Sequence, residues 1–550
     1  MNSLVLAAGA LLLFFIGYRF YGRLMEKLWG IDPSRKTPAY EEYDGVDYVP
    51  AKHWTVLFGH HFSSIAGAGP IIGPVIAAMV WGWFPAVIWL IAGSVFLGGV
   101  HDLSALMVSL RHRGKSVADV AQSVMGFRAK MILAMFVWLA LVLIVAVFAA
   151  VAAKTLSSKA EVVIPNFGLI LIAVLVGYLM YRRGVNQILA TVVGMLLLVG
   201  FIFLGYHVPI SLGDHGETIW TVLLLVYAFI ASVLPVDLLL QPRDYLSAFV
   251  LIFGLLIGYA GVVVTHPPMN APAFISFQGA QGYLWPMMCV IIACGAISGF
   301  HSLVASGTTS KQLTNERDAK KIGYGAMIME GVLSILALIA VAGGLYWSSQ
   351  KGAPGLIYPE LMKGGNWIVT FGTGYGQLVQ PFLGSVGLLF GIMMLETFVM
   401  TTLDTATRIA RYIAEELFGE GLKIKPLRNK YISTGICIAF ALWLALGSWQ
   451  AIWPVFGASN QLIAALVLIV VSMYLLGRRK QAAYTFYPAL FMLVTTMAAL
   501  VSESLHFMRD GKAMLAIVGM VLFVLALFMC FEALRAYIGL KRQQAGPNPV

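Results

Sequence analysis

His60-His61-Phe62-Ser63-Ser64-Ile65-Ala66-Gly67-Ala68-Gly69-Pro70-Ile71-Ile72-Gly73-Pro74 is the stretch that decides how this chain folds. It lies inside an apolar run from 54 to 80. That run is long enough to cross roughly 30 Å of hydrocarbon, which takes about 17–25 residues. Two prolines and three glycines within residues 60–74 cannot hold a regular helix, because proline lacks an N–H donor and clashes one turn back. Broken backbone at membrane depth survives only where protein or a water-filled cavity satisfies the freed groups. The stretch therefore predicts an interrupted membrane helix.

A second stretch has the same character: Gly295-Ala296-Ile297-Ser298-Gly299-Phe300-His301-Ser302-Leu303-Val304-Ala305-Ser306-Gly307-Thr308-Thr309. At a constant offset, Phe62 meets Phe300, Ser64 meets Ser302, Ile65 meets Leu303 and Gly69 meets Gly307. Glycine serving only close helix packing is the plain alternative, but packing does not call for His and Ser beside the breaks.

The rest of the chain sets these segments in a membrane. Of 550 residues 60% are hydrophobic and 11% charged, against about 25% charged in soluble domains. About fifteen apolar spans follow, the first at 4–20, read as a retained extra helix without a signal-peptide n-region. Alternate connections then divide the 36 Lys and Arg sharply. Only Lys154, Lys159, Lys351, Lys363, Arg509 and Lys512 fall in one set, leaving 30 in the other. By the positive-inside rule this places the N-terminus outside and the C-terminus in the cytoplasm. The 54–80 and 285–310 spans then run in opposite directions, the signature of an inverted-repeat secondary transporter with a midplane site. The net charge of +11 is a topology signal and calls for no nucleic acid. The chain divides into an N-terminal helix and connection (1–53), a first repeat region (54–284), a second (285–477), and two C-terminal helices with a tail (478–550). The connections 21–53 and 347–380 read as hydrophilic loops.

No motif proposes an enzyme. Gly114-Lys115-Ser116 matches the tail of a P-loop, but Ser109 stands where the earlier glycine belongs. Cys289, Cys294, Cys437 and Cys530 sit in apolar runs as small hydrophobes, and no metal site or cofactor is indicated.

Ionisable residues inside spans are costly and read as functional. Asp404 leads, because Thr401, Asp404 and Thr405 share a helix face at i, i+3, i+4 spacing. Hydroxyls with a carboxylate suit a proton site or a hard cation such as Na⁺; pairing with Arg408 is the structural alternative. Asp102 is the reserve, with Arg111 or Arg113 as its structural partner, and Asp237 is a possible relay. Glu330 and Glu396 stand second. For the substrate, the breaks expose helix ends suited to a carboxylate. They bring forward His61, Ser63, Ser64, Gly67 and Gly69 from the first stretch, and Ser298, His301, Ser302 and Gly307 from the second. Core histidines bonded to backbone remain the alternative for His61 and His301.

Five segments together resemble the carbon starvation protein A (CstA) family. They are the 60–74 run, Ser232-Val233-Leu234-Pro235 with Gln241-Pro242-Arg243-Asp244-Tyr245-Leu246, the 294–309 run, Thr402 to Arg411, and Phe456-Gly457-Ala458-Ser459-Asn460-Gln461-Leu462. The resemblance implies a multi-pass inner-membrane importer induced by nutrient limitation, with pyruvate or short peptides as substrate. It also implies distant kinship with LeuT-fold transporters. The fold expected is an all-α membrane protein with about fifteen helices, an inverted-repeat core and extra helices, built as five-plus-five or seven-plus-seven. Asp237 departs from the family, where an aromatic residue is expected. The function expected is import of a small organic anion, pyruvate first, with H⁺, Na⁺ being the other coupling ion. Short-peptide transport is the alternative, and a channel or membrane sensor is the reading from another class.

Overall fold

Hydrocarbon offers peptide groups no partner, so a chain this apolar satisfies them within helices. A computed structural model, describing residues 2–349, 352–447 and 449–544, has that form. Its spans are α1 (Ser3–Trp29), α2 (Trp54–Val80), α3 (Trp83–Arg111), α4 (Phe127–Ser158), α5 (Ala160–Arg182), α6 (Gln187–His207), α7 (Gly213–Val233) and α8 (Leu240–Thr265). An interrupted segment, α9 (284–307), follows, then α10 (Glu316–Ala342). The remainder are α11 (Trp367–Leu383), α12 (Gly387–Ala414), α13 (Lys430–Ala445), α14 (Trp449–Gly477), α15 (Ala483–Arg509) and α16 (Ala513–Gln544). Thirteen helical runs among the described residues are long and apolar enough to cross a membrane. The interrupted α9 and the short apolar α13 bring the spans to the fifteen expected, α11 and α12 being counted as one run.

Both predicted breaks are present. Helix α2 stops at Ala66, turns through Gly67 at φ +49 and ψ −157, and restarts at Gly69. That backbone conformation belongs almost exclusively to glycine. In α9 the helix gives way at Ile297 and Ser298, both extended, and resumes at Gly299.

Packing reveals the repeat. The first half of α2 lies along α8 and its second half along α10; the last segment of α9 lies along α14 and α3. Helices α4 and α12 cross each other at the centre, α7 and α13 each touch both, α8 packs on α12, and α14 packs on α4. Exchanging α2, α3, α4, α7 and α8 for α9, α10, α12, α13 and α14 maps these contacts onto one another. This is a five-plus-five arrangement in which α5 and α6 form an inserted hairpin against α8. Helices α15 and α16 flank α14, and α1 rests on α10 and α8. The core helix α10 is buried almost throughout, while Ile188, Leu196 and Phe203 of peripheral α6 are exposed. Such a face is stable only against lipid.

Two expected loops differ. Helix α1 continues past residue 20, through a wide-turn segment at Gly17–Tyr21, to Trp29. The 347–380 connection contains most of α11, which packs on α12, α8 and α10. Its Trp367 ring lies 6.0 Å from Trp453 near the start of α14. That places α11 across the helix ends opposite the basic face.

Candidate functional site

In an unbroken helix the carbonyls of Ser63 and Ser64 would accept from residues 67 and 68, where α2 is broken. Threonines of α12 take them instead. Thr401 Oγ1 donates to the Ser63 carbonyl (2.7 Å) and Thr402 Oγ1 to that of Ser64 (2.9 Å). The hydroxyls of Ser64 and Thr405 lie 3.0 Å apart. The face that the sequence assigns to Thr401, Asp404 and Thr405 is thus the face that receives the break.

Asp404 itself meets a different partner from either one expected. The guanidinium of Arg243, on α8, is ion-paired with it, and the Tyr227 hydroxyl of α7 donates to its Oδ2 (2.7 Å). Arg243 is 1% exposed and Asp404 0%. Arg408 reaches Asp47 (2.7 Å) and the carbonyls of Ala231 (2.9 Å) and Leu234. The neighbour of Asp404 is set by packing across 161 residues of sequence, not by the helical i+4 spacing. A sodium ion at this carboxylate would have to sit beside a permanent cation.

Beside Arg243, Asp244 ties down the first half of α2. His60 Nδ1 lies 2.6 Å from its Oδ2, Ser64 Oγ donates to the same oxygen (3.2 Å), and Ser63 Oγ donates to its carbonyl (2.9 Å). His60 Nε2 is 3.2 Å from Thr308 Oγ1, and His61 Nδ1 is 2.8 Å from Thr309 Oγ1, both at the end of α9. His61 Nε2 is buried with no partner among the described residues.

The break in α9 is capped by Asn460 of α14. Its side-chain oxygen accepts from the Phe300 N–H (2.8 Å) and its amide donates to Ser298 Oγ (2.9 Å). One residue on, His301 Nδ1 faces Asp102 Oδ2 at 2.8 Å and its Nε2 faces Glu330 Oε2 at 3.0 Å. His101 Nδ1 closes on the other oxygen of Asp102 at 2.8 Å. All four groups are 0% exposed. They form one row: His101, Asp102, His301, Glu330. An imidazolium at His301 lies within ion-pair distance of both carboxylates, with a hydrogen bond to Asp102 and none to either Glu330 oxygen.

Ser302 bonds locally, to the Gly299 carbonyl (2.6 Å), and Gly307 packs against Ile409. Asp102 does not pair with arginine: Arg111 goes to Glu316 and Arg113 to Glu42 (3.6 Å). Asp237 is not deep in a span. It lies half-buried in the turn between α7 and α8, where Pro235 and the preceding extended Leu234 end the helix. Glu396 is buried on α12 with neither oxygen partnered among the described residues. Reading the sequence missed His60, Arg243, Asp244 and Asn460 as site residues. The signal for two of them was available: Arg243-Asp244 puts adjacent charges into the first turn of an otherwise apolar helix.

The two breaks abut. A Cβ built on Gly69 would lie 2.4 Å from Cys294 Sγ, and one on Gly67 would lie 2.8 Å from the Phe148 ring. With this geometry the chain matches the model of the family described as carbon starvation protein CstA, over residues 2–353 and 359–499. It belongs to the CstA family. Among curated members it is 33% identical to the pyruvate/proton symporter BtsT of Escherichia coli K12, over 91% of this chain and 81% of that one. It is 34% identical to the peptide transporter CstA of Bacillus subtilis 168, over 90% and 89%. The E. coli K12 peptide transporter CstA is 33% identical, over 91% and 81%. Among solved structures, a manganese transporter of Eremococcus coleocola superposes with a TM-score of 0.51 at 11% identity, covering 91% of this chain and 99% of that one. That likeness concerns the fold alone.

Proposed function

We propose that this protein imports a small organic anion, pyruvate first, together with a proton, across the inner membrane, with the basic face in the cytoplasm. The observation that carries the reading is the buried row His101–Asp102–His301–Glu330, which begins one turn after the α9 break and contains no permanently charged group. A proton can load there and leave, whereas Asp404 is already engaged by Arg243. Coupling thereby moves from Asp404, with Thr401 and Thr405 holding the break, to Asp102 and its neighbours. The similarity to a pyruvate/proton symporter supports the same ion and substrate.

The substrate carboxylate meets the N-terminal end of the second half of α2, where the helix dipole favours an anion. His61 Nε2 supplies the side-chain donor. The experiment is counterflow: proteoliposomes loaded with unlabelled pyruvate take up labelled pyruvate. Exchange that excess pyruvate inhibits and di- and tripeptides do not is expected. Exchange of labelled peptide that pyruvate leaves untouched would replace pyruvate as the substrate.

A further inference from the structure

Helix α1 stands outside the repeat and leaves two cavities along its length. The first, about 620 Å³, is an apolar groove between α1, the first half of α2, α8 and α10, and Leu11, Phe15, Trp54, Phe58, Phe249 and Met329 line it. It opens to the membrane: Phe15 is 62% exposed. The second, about 590 Å³, lies toward the basic face and is lined by Arg19, Arg23, Lys27 and Lys320 with a single carboxylate, Glu26. The two are neighbours on both walls, Tyr18 and Lys321 lining the groove, Arg19 and Lys320 the basic pocket.

The charge in the second cavity is unbalanced. Lys320 is paired with Glu26 (2.8 Å), so Arg19, Arg23 and Lys27 remain exposed with no carboxylate partner among the described residues. They recur every four residues, on the stripe of α1 that Leu11 and Phe15 continue into the groove. Apolar slot and unneutralised basic pocket, in that order from mid-membrane to interface, match the acyl chain and phosphate of one lipid.

We propose that α1 and α10 hold an anionic phospholipid of the basic-face leaflet, a phosphatidylglycerol-type lipid, with an acyl chain in the groove and its phosphate against Arg19, Arg23 and Lys27. The groove is floored by Trp54, Phe58 and Gly59, the last directly before His60, so the lipid bears on the half of α2 that carries the site histidines.

Quenching of Trp54 by lipids brominated on the acyl chain tests this, in bilayers of defined composition and with Trp54→Phe as the blank. Brominated phosphatidylglycerol is expected to quench at a lower mole fraction than brominated phosphatidylcholine. The preference should fall about fivefold for each cation removed in Arg19→Gln, Arg23→Gln and Lys27→Gln, following about 1 kcal/mol per basic residue. All three side chains are exposed, so the variants keep the fold. Equal quenching by both lipids would reduce the groove to ordinary boundary lipid, and a preference unchanged in the triple variant would remove the headgroup assignment. Relief of quenching by soluble glycerol phosphate would show a free-phosphate site and overturn the lipid. None of these outcomes depends on what the protein transports.

Discussion

Among single residues, the buried charges divide into those with fixed partners and those without. Asp404 and Arg243 neutralise each other, and removing one partner of a buried pair leaves a stranded charge, at about 3–5 kcal/mol. Asp404→Asn is therefore expected to lower the thermal midpoint in detergent by several degrees, and Asp404→Asn with Arg243→Gln to recover much of it. A stable single variant that loses only proton-driven accumulation would return coupling to Asp404. Glu330→Gln has the opposite profile, because His301 keeps Asp102. Protein yield and pyruvate counterflow should persist while accumulation driven by a pH gradient falls at least tenfold; undiminished accumulation would exclude Glu330 from coupling. The sequence made Asp404, Thr401 and Thr405 legible because they share a helix face. It could not show Arg243, since that neighbour comes from the folding of α8 onto α12.

At the element scale, composition exposes broken helices and hides helices held by packing. The 54–80 and 285–310 breaks were readable because Gly, Pro and Ser concentrate there in otherwise apolar runs. Most of α11 was not, because Gly372, Gly374 and Gly376 give it poor helix propensity; its contacts with α8, α10 and α12 supply what the local sequence lacks. The connection 30–53 was readable only as polar. In the structure it straps the basic face: Val46 accepts from Val236 N–H (3.1 Å), Ala51 N–H donates to Gln312 (3.0 Å), and Asp47 binds Arg408 and Arg411 (3.6 Å). Burial opposes the charge on Asp47, but Arg408, Arg411 and Lys311 outweigh it and hold the carboxyl below its ordinary 3.8. A depressed carboxyl contributes stability above its ordinary value and loses it only as pH falls through the lowered one. The latch is thus constant from pH 5 to 8. Proteolysis within 30–53 should be slow and pH-independent across that range, and several-fold faster in Asp47→Asn. Release of the wild-type strap between pH 7 and 5 would contradict the latch.

At the scale of the whole molecule, five helices and their counterparts enclose two abutting breaks, and the extra helices α1, α5, α6, α15 and α16 surround them. Charge distribution and broken segments made the inverted repeat legible. The choice of five-plus-five came only from packing, because nothing in the composition of α5 and α6 marks them as an insertion. Coupling of pyruvate entry to a proton taken up by a buried histidine–carboxylate row is what this architecture is proposed to achieve. Its most direct measurement is uptake of labelled pyruvate into sodium-free proteoliposomes, acidic outside and alkaline inside. Accumulation above the external concentration, collapse with a protonophore, and no stimulation by a sodium gradient are expected. Equilibration without accumulation under the pH gradient, or accumulation only with sodium, would contradict it.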